Sequence, residues 1–350
     1  MHFYIHSLPL DTEIRIPAPI TIPLLEVGAQ LQLPPVLTYS DVVLYNWALK
    51  VPSVDPRPAL DNLRTLTTFT GTRDEEEFYL TSSRIELRGV DALEVMRVTM
   101  DELFIGDALA VRRITRYLHS LAYVVDDLAR ILLSVRDGCD PDLFYHSIRP
   151  WFNGADSGSR TWFFEGLDAR PELVVPDELS GPSAAQSPLI HALDVFLGVD
   201  HASSPASSPT MEHVASAHVP PRAPFLARMR AYMPRHHRNF LSHLAAAPRP
   251  LREAIVRTDN APLTDAYNAA LAALRGLRDA HLRIVTLYII GPSHRAPPTL
   301  AKGALKGCFA DETGMAPSLL RGTGGTMLIR FLKSVRDRTS DAALELDDST

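Results

Sequence analysis

The imidazole best placed for chemistry in this chain is His281. It falls seven residues after Leu274 and seven before Tyr288, on the stripe Tyr267, Leu271, Leu274, Arg278, His281, Val285 and Tyr288. A helical period puts that stripe on one inward face. An imidazole there is either a hydrogen-bonded core residue or a ligand to a metal or haem. Zinc asks for three or four protein donors, and the positions one turn away hold Leu277 and Val285. Haem asks the protein for only a proximal imidazole. The chain has no Cys-x-x-Cys-His, so any such haem would be b-type. Periodicity alone leaves core residue and ligand both open.

Arg149 follows the short apolar run Leu143-Phe144-Tyr145-His146-Ser147-Ile148. It reads either as a surface arginine snorkelling from an amphipathic helix or as a bidentate carboxylate clamp, a task suited to its planar fork. Phe144, five residues earlier, could line the same pocket. The run Gly322-Thr323-Gly324-Gly325-Thr326 before a helix suggests either an anion-binding N-terminus or a flexible hinge with a threonine cap. It is no Walker loop, because no Lys-[Ser/Thr] follows the glycines. His201, His213 and His218 read as solvent-exposed, and His236-His237 lacks metal-ligand spacing. No Gly-x-Ser-x-Gly elbow is present.

The elements that must position these residues are mostly helical. The spacing of Val111, Ile114, Leu118, Leu121, Val125, Leu128, Leu132 and Val135 predicts one long helix ended by Gly138. Further helices are expected over 91–104, 142–152, 192–197, 224–232 and 237–244, through the His281 stripe to Gly291-Pro292, and after Thr326 with Leu328, Phe331, Leu332 and Val335 inward. Only 14–24 reads as extended, so the expected fold class is all-α. Segments 200–221, 293–321 and 341–350 read as mobile, the last as a frayed acidic tail.

Composition sets the outer bounds. In 350 residues, 46% hydrophobic side chains are ample for a core, and the net charge of −6 excludes a strongly basic nucleic-acid footprint. Two cysteines, Cys139 and Cys308, exclude a disulfide scaffold and a four-cysteine metal site. The start lacks a secretory pattern, and no apolar run reaches the ~18 residues of a membrane span. The expectation is a soluble cytoplasmic protein.

Taken together, the segments resemble the indoleamine 2,3-dioxygenase family. The matching stretches run in family order: Leu33 to Tyr39, Phe78 to Ser82, Phe144 to Arg149, Gly181 to Ser187, Leu193 to Gly198, Met229 to Pro234, His237 to Leu241, His281 to Thr286, and Gly322 to Arg336. The resemblance implies a helical haem b enzyme that inserts both atoms of O2 into the indole ring of L-tryptophan or a related indole, the first step of the kynurenine pathway. A monomer is expected, with no nucleic-acid partner on the ground of charge and no membrane partner for want of a spanning apolar run.

Residue by residue, His281 corresponds to the proximal haem ligand, Arg278 to an arginine near the haem propionates, and Asp194 to its acidic partner. Arg149 falls on the arginine that recognises the substrate carboxylate, and Ser82 on the distal hydroxyl; these two are the catalytic candidates. Phe78 and Phe144 match the aromatics flanking the indole, and Tyr39, Val42 and Val43 match its pocket lining. Ser183 and Ala184 match the loop over the haem, and Thr323 the threonine of a loop that closes on the amino acid.

The implied organisation is a remnant of an N-terminal small domain and linker over 1–75, the all-α haem-binding catalytic domain over 76–340, and the acidic tail over 341–350. Usual members carry a longer N-terminal helical domain before the Leu-Pro-Pro segment, so the cap over the distal pocket is expected to be incomplete. Two alternatives stay open: the same haem fold acting on another indole, or a haem-binding protein without turnover.

Overall fold

The computed structural model describes residues 1–9, 13–156, 160–199, 223–247, 250–295 and 327–345. Twelve helices are labelled here: α1 His2–Ser7, α2 Ala18–Leu31, α3 Arg73–Ile105, α4 Ala108–Leu133, α5 Pro141–Leu143, α6 Pro188–Phe196, α7 Phe225–Met229, α8 Arg235–Ala245, α9 Leu251–Thr258, α10 Ala261–Val285, α11 Gly291–Ser293 and α12 Leu328–Asp341. Four three-residue strands make two small ribbons. Strand β1 Ile14–Ile16 pairs in parallel with β4 Trp162–Phe164, and β2 Trp47–Leu49 pairs antiparallel with β3 Leu63–Thr65. The all-α expectation holds, with strands only as clasps. No helix among the described residues is long and apolar enough to cross a membrane.

The centre is α4, packed between α3 and α10, with α12 laid on α10 and α6 on α8. The predicted α4 stripe is the reason. Leu118, Leu121, Val125 and Leu128 have no exposed surface, and Ile114 and Val135 are buried beside them. Burying each such side chain stabilises the fold by about 1.5–3 kcal/mol before chain entropy is counted. The stripe of α10 is buried in the same way, through Tyr267, Leu271, Leu274, Arg278, Val285 and Tyr288.

Several expectations are corrected. Residues 18–24 are not extended: only Ile14–Ile16 is strand, and Ala18–Leu31 is helix even though Pro23 lies inside it. The β-branched residues there suggest a strand locally, but Thr21 and Leu25, one turn apart, are both buried in the tertiary contact, and Thr21 Oγ1 donates to the Ile16 carbonyl at 2.9 Å. Helix α3 begins at Arg73 rather than near 91, capped by the Thr72 hydroxyl, with Asp74, Glu75 and Glu76 in its first turn. It ends on Gly106 at φ 70°, a conformation open to glycine.

Gly291-Pro292 does not close the helical path either. The chain widens into a π-turn at Thr286–Ile290 and continues as α11. Pro292 then sits in the first turn of α11, where its missing N–H loses no partner. The tail is not frayed at its start: Asn268 accepts from the Leu344 N–H at 3.0 Å and donates to the Leu344 carbonyl at 2.8 Å. Most of the segments expected to be mobile, 200–221 and 293–321, and the glycine run 322–326 lie outside the described residues, as do His201, His213, His218 and Cys308.

Candidate active site

Three turns wider than an α-helix converge on one cavity. Each is a five-residue π-turn: Ser40–Leu44, Phe144–Ile148 and Thr286–Ile290. Such turns displace side chains from the helical register and are frequent at functional sites. The first presents Val42 and Val43, the second Phe144, and the third Tyr288 and Ile289. The first is tied to α3 through Ser83, whose hydroxyl donates to the Val43 carbonyl at 3.1 Å. Its start is held by Asp41, which accepts from the Thr38 N–H and hydroxyl at 2.8 Å each.

The cavity measures about 1100 Å³, counting the solvent at its mouth. Of the residues predicted from sequence, Tyr39, Val42, Val43, Phe78, Ser82, Phe144, Arg149, Ser183, Ala184 and His281 all line it. Arg278 and Asp194 do not. They pair with each other behind the wall, and Arg278 also donates to the Val335 carbonyl at 3.2 Å. Thr323 lies outside the described residues. Sequence reasoning missed Phe152, Phe225, Ile284 and Pro182. Phe152 ends a 3-10 turn and Phe225 opens the five-residue helix α7, elements too short for a period to reveal their facing, whereas Ile284, one turn from His281, was within reach of the helical pattern.

The walls are aromatic and in contact. The rings of Phe78 and Phe144 lie 4.4 Å apart, Phe78 and Phe152 5.8 Å, and Phe144 meets Tyr288 edge-on at 5.6 Å. Tyr288 is fixed by donating to the Cys139 carbonyl at 2.6 Å. On the α12 side Phe331 abuts Phe225 at 4.8 Å. Arg149 stands where the π-turn tightens into a 3-10 turn, its guanidinium 5.2 Å from the Tyr145 ring centre. Among the described lining residues it is the one permanently charged side chain.

His281 is half-buried in the wall, and its ring makes no hydrogen bond to any described residue. Burial drives its pKa down to about 4, so the ring is neutral at pH 7 with a lone pair available. No group of three or more His, Cys, Asp or Glu that could hold a metal ion occurs among the described residues. A cofactor with its own equatorial donors, asking one imidazole from the protein and apolar walls around it, fits this donor set; a bare ion does not.

An all-α scaffold that encloses an aromatic cavity with one neutral imidazole and one guanidinium defines a site for a flat, apolar substrate carrying an anionic group. A family model for indoleamine 2,3-dioxygenase matches residues 1–342, and the chain belongs to that family. It is 34% identical over 338 residues to indoleamine 2,3-dioxygenase 1 of Mus musculus, spanning 95% of this chain and 75% of the mouse protein. It is 33% identical over 354 residues to indoleamine 2,3-dioxygenase of Saccharomyces cerevisiae, spanning 97% and 75%. It is 28% identical over 328 residues to a 6-hydroxytryptophan 2,3-dioxygenase of Fusarium equiseti, spanning 92% and 74%. The chain is accordingly an oxidoreductase of the dioxygenase type.

Proposed function

We propose that the chain is a haem b-dependent dioxygenase that inserts both atoms of O2 across the indole C2–C3 bond of L-tryptophan, giving N-formylkynurenine. The observation carrying this reading is the make-up of the cavity wall, apolar and aromatic apart from hydroxyls, one imidazole and one guanidinium. Haem, when bound, supplies the activation of dioxygen, which no side chain can provide. His281 would hold it, being neutral and uncommitted. Arg278 and Asp194, one turn before His281 and on α6 respectively, steady the ligand-bearing helix from behind, a role second to ligation itself.

The remaining residues bind and orient. An amino-acid carboxylate entering an apolar cavity needs a cation, and Arg149 offers a planar fork for it. Held there, the indole meets Phe78 and Phe144, with Tyr39, Val42 and Val43 closing the pocket around it. Ser82 places a hydroxyl on the same wall, and Ser183 and Ala184 border the cavity from their loop. Anchoring the carboxylate while fitting the ring sets which indole edge is presented, the positional part of catalysis. The aromatic walls exclude water from the reacting edge. No general base is required. Thr323 is assigned, from the resemblance alone, to a loop closing on the amino acid.

A second reading keeps the site and changes the indole. It is favoured by the relative named as a 6-hydroxytryptophan 2,3-dioxygenase, and relative turnover of L-tryptophan and ring-hydroxylated tryptophans separates the two. The decisive test is an absorption spectrum of the purified protein and its His281→Ala variant, followed by a formylkynurenine assay. The haem band is expected to vanish in the variant; a band that survives removes the ligand assignment. Arg149→Ala should keep the band and lose about 100-fold in kcat/KM, the equivalent of a lost charge pair. Unchanged efficiency in that variant would count against the clamp.

A further inference from the structure

Glu86 carries a half-buried carboxyl that the proposed chemistry does not use. Along α3, Phe78, Ser82 and Glu86 succeed one another at four-residue intervals, so they rise on one helical face. Phe78 and Ser82 line the active-site cavity, but Glu86 does not. Its Oε1 instead accepts from the Tyr39 hydroxyl at 2.9 Å and from the Ser187 hydroxyl at 2.5 Å. Its Oε2 makes no hydrogen bond to any described residue, and the side chain borders a neighbouring cavity with Val43, Trp47 and His237.

The two donors belong to different walls of the active-site cavity. Tyr39 lines it directly, at the head of the first π-turn. Ser187 ends the strap 181–187, whose Pro182, Ser183, Ala184 and Ala185 also line it. A second clamp lies beside the first: Gln186 accepts from the Tyr39 N–H at 2.8 Å and donates to the Gly181 carbonyl at 2.9 Å. One oxygen of Glu86 is therefore where α3, the Tyr39 segment and the strap meet.

A carboxyl is an unfavourable choice for mere filling. Burial pushes its pKa up, and no cation bonds to it among the described residues, so an apolar side chain would be easier to accommodate. What the carboxyl adds is one atom that accepts from two directions. A proton carried on Oε2 leaves both bonds intact, so a glutamine with its amide oxygen in the place of Oε1 would preserve them.

We propose that Glu86 is a positioning residue of the indole pocket: by holding the Tyr39 and Ser187 hydroxyls on one oxygen it sets the spacing between the Tyr39 wall and the strap, and thereby the fit of the indole ring, without touching the substrate. This rests on reading the cavity as an indole pocket. The test combines steady-state kinetics and calorimetric binding of L-tryptophan for the wild type, Glu86→Gln, Glu86→Ala, Tyr39→Phe and the Glu86→Ala/Tyr39→Phe double variant. Glu86→Ala should raise KM and Kd about tenfold, the scale of a lost hydrogen bond to a charged or polar partner, with kcat changed by less than about threefold.

Glu86→Gln should stay within about twofold of wild type, and Tyr39→Phe should add nothing once Glu86 is alanine, because the shared bond is already gone. Wild-type KM in Glu86→Ala, a kcat loss that glutamine does not restore, or additive effects in the double variant each overturn the assignment. Should Glu86→Ala not fold, Tyr39→Phe alone must show the KM rise, and its absence is equally fatal. If the wild type itself neither binds nor converts L-tryptophan, the indole reading is what fails. Amide hydrogen exchange over 36–44 and 179–190 then decides for Glu86: faster in Glu86→Ala or, if that does not fold, in Tyr39→Phe, restored in Glu86→Gln, and the proposal falls if exchange is unchanged.

Discussion

Gly154 and Gly181 let two backbones touch. A Cβ on Gly181 would stand 1.8 Å from the Phe152 carbonyl oxygen, and one on Gly154 would stand 2.1 Å from the Leu179 carbonyl oxygen. Phe152 and the strap beginning at Pro182 are both walls of the active-site cavity, so this close approach sets how narrow the cavity is. Backbone cannot yield as a flexible side chain can. Gly181→Ala is therefore expected to lower stability by about 2–3 kcal/mol and to raise KM, read from a urea midpoint and a tryptophan titration; an unchanged midpoint with unchanged KM contradicts it. The stretch Gly181 to Ser187 was legible as a family segment, but the reason for the glycine was not, because its partner carbonyl lies 29 positions away.

Helix α1 is held by aromatic and imidazole contacts. His2 Nε2 accepts from the Leu37 N–H at 3.2 Å, and His6 lies against Trp151 with ring centres 4.2 Å apart. Burial first, then neighbouring charge, lowers His2 from 6.5 to about 3 and His6 from 6.5 to about 4. Between these values and 6.5 the unfolded segment binds protons that the docked one does not, so stability is complete above about 6.5 and falls as pH drops toward 4 and 3. Tryptophan emission should therefore change with a reversible step between about pH 6 and 4, before global unfolding, and His6→Phe should move it to lower pH. A step of unchanged position in that variant would show that His6 is not the group.

At this level the long stripes of α4 and α10 were readable from spacing, since one face of each packs on a continuous core. Helices α1, α2 and α9 and the first half of α3 were not. Their buried residues form no long apolar stripe, and what fixes them is what they pack against. The π-turns were likewise invisible, because a five-residue widening leaves no mark in a 3.6 period.

Across the molecule, the Arg278–Asp194 pair ties three helices: α10 carries Arg278, α6 carries Asp194, and the Val335 carbonyl of α12 takes a further bond from the guanidinium. Both side chains are under 10% exposed. Asp194→Ala would leave a buried guanidinium uncompensated, and a loss of about 3–5 kcal/mol is expected in chemical denaturation. The paired replacement Asp194→Leu with Arg278→Met should recover most of it, because two apolar groups need no partner; a double variant as unstable as the single one would deny that the penalty is the unpaired charge.

The helical repeat was enough to establish an all-α fold and the inward face that bears His281, and the resemblance of short ordered stretches supplied the family and the segments from which most of the cavity lining comes. Those facts are local, since a period or a short ordered stretch carries them within a few turns of chain. The convergence of Tyr39, Glu86 and Ser187 on a single oxygen, the backbone contact between Gly154 and Gly181, and the seating of Arg278 behind the wall rather than in it depended on folding. Each joins residues far apart in the chain, and only the packing of α3, α4, α6, α10 and α12 brings them within hydrogen-bonding or van der Waals reach.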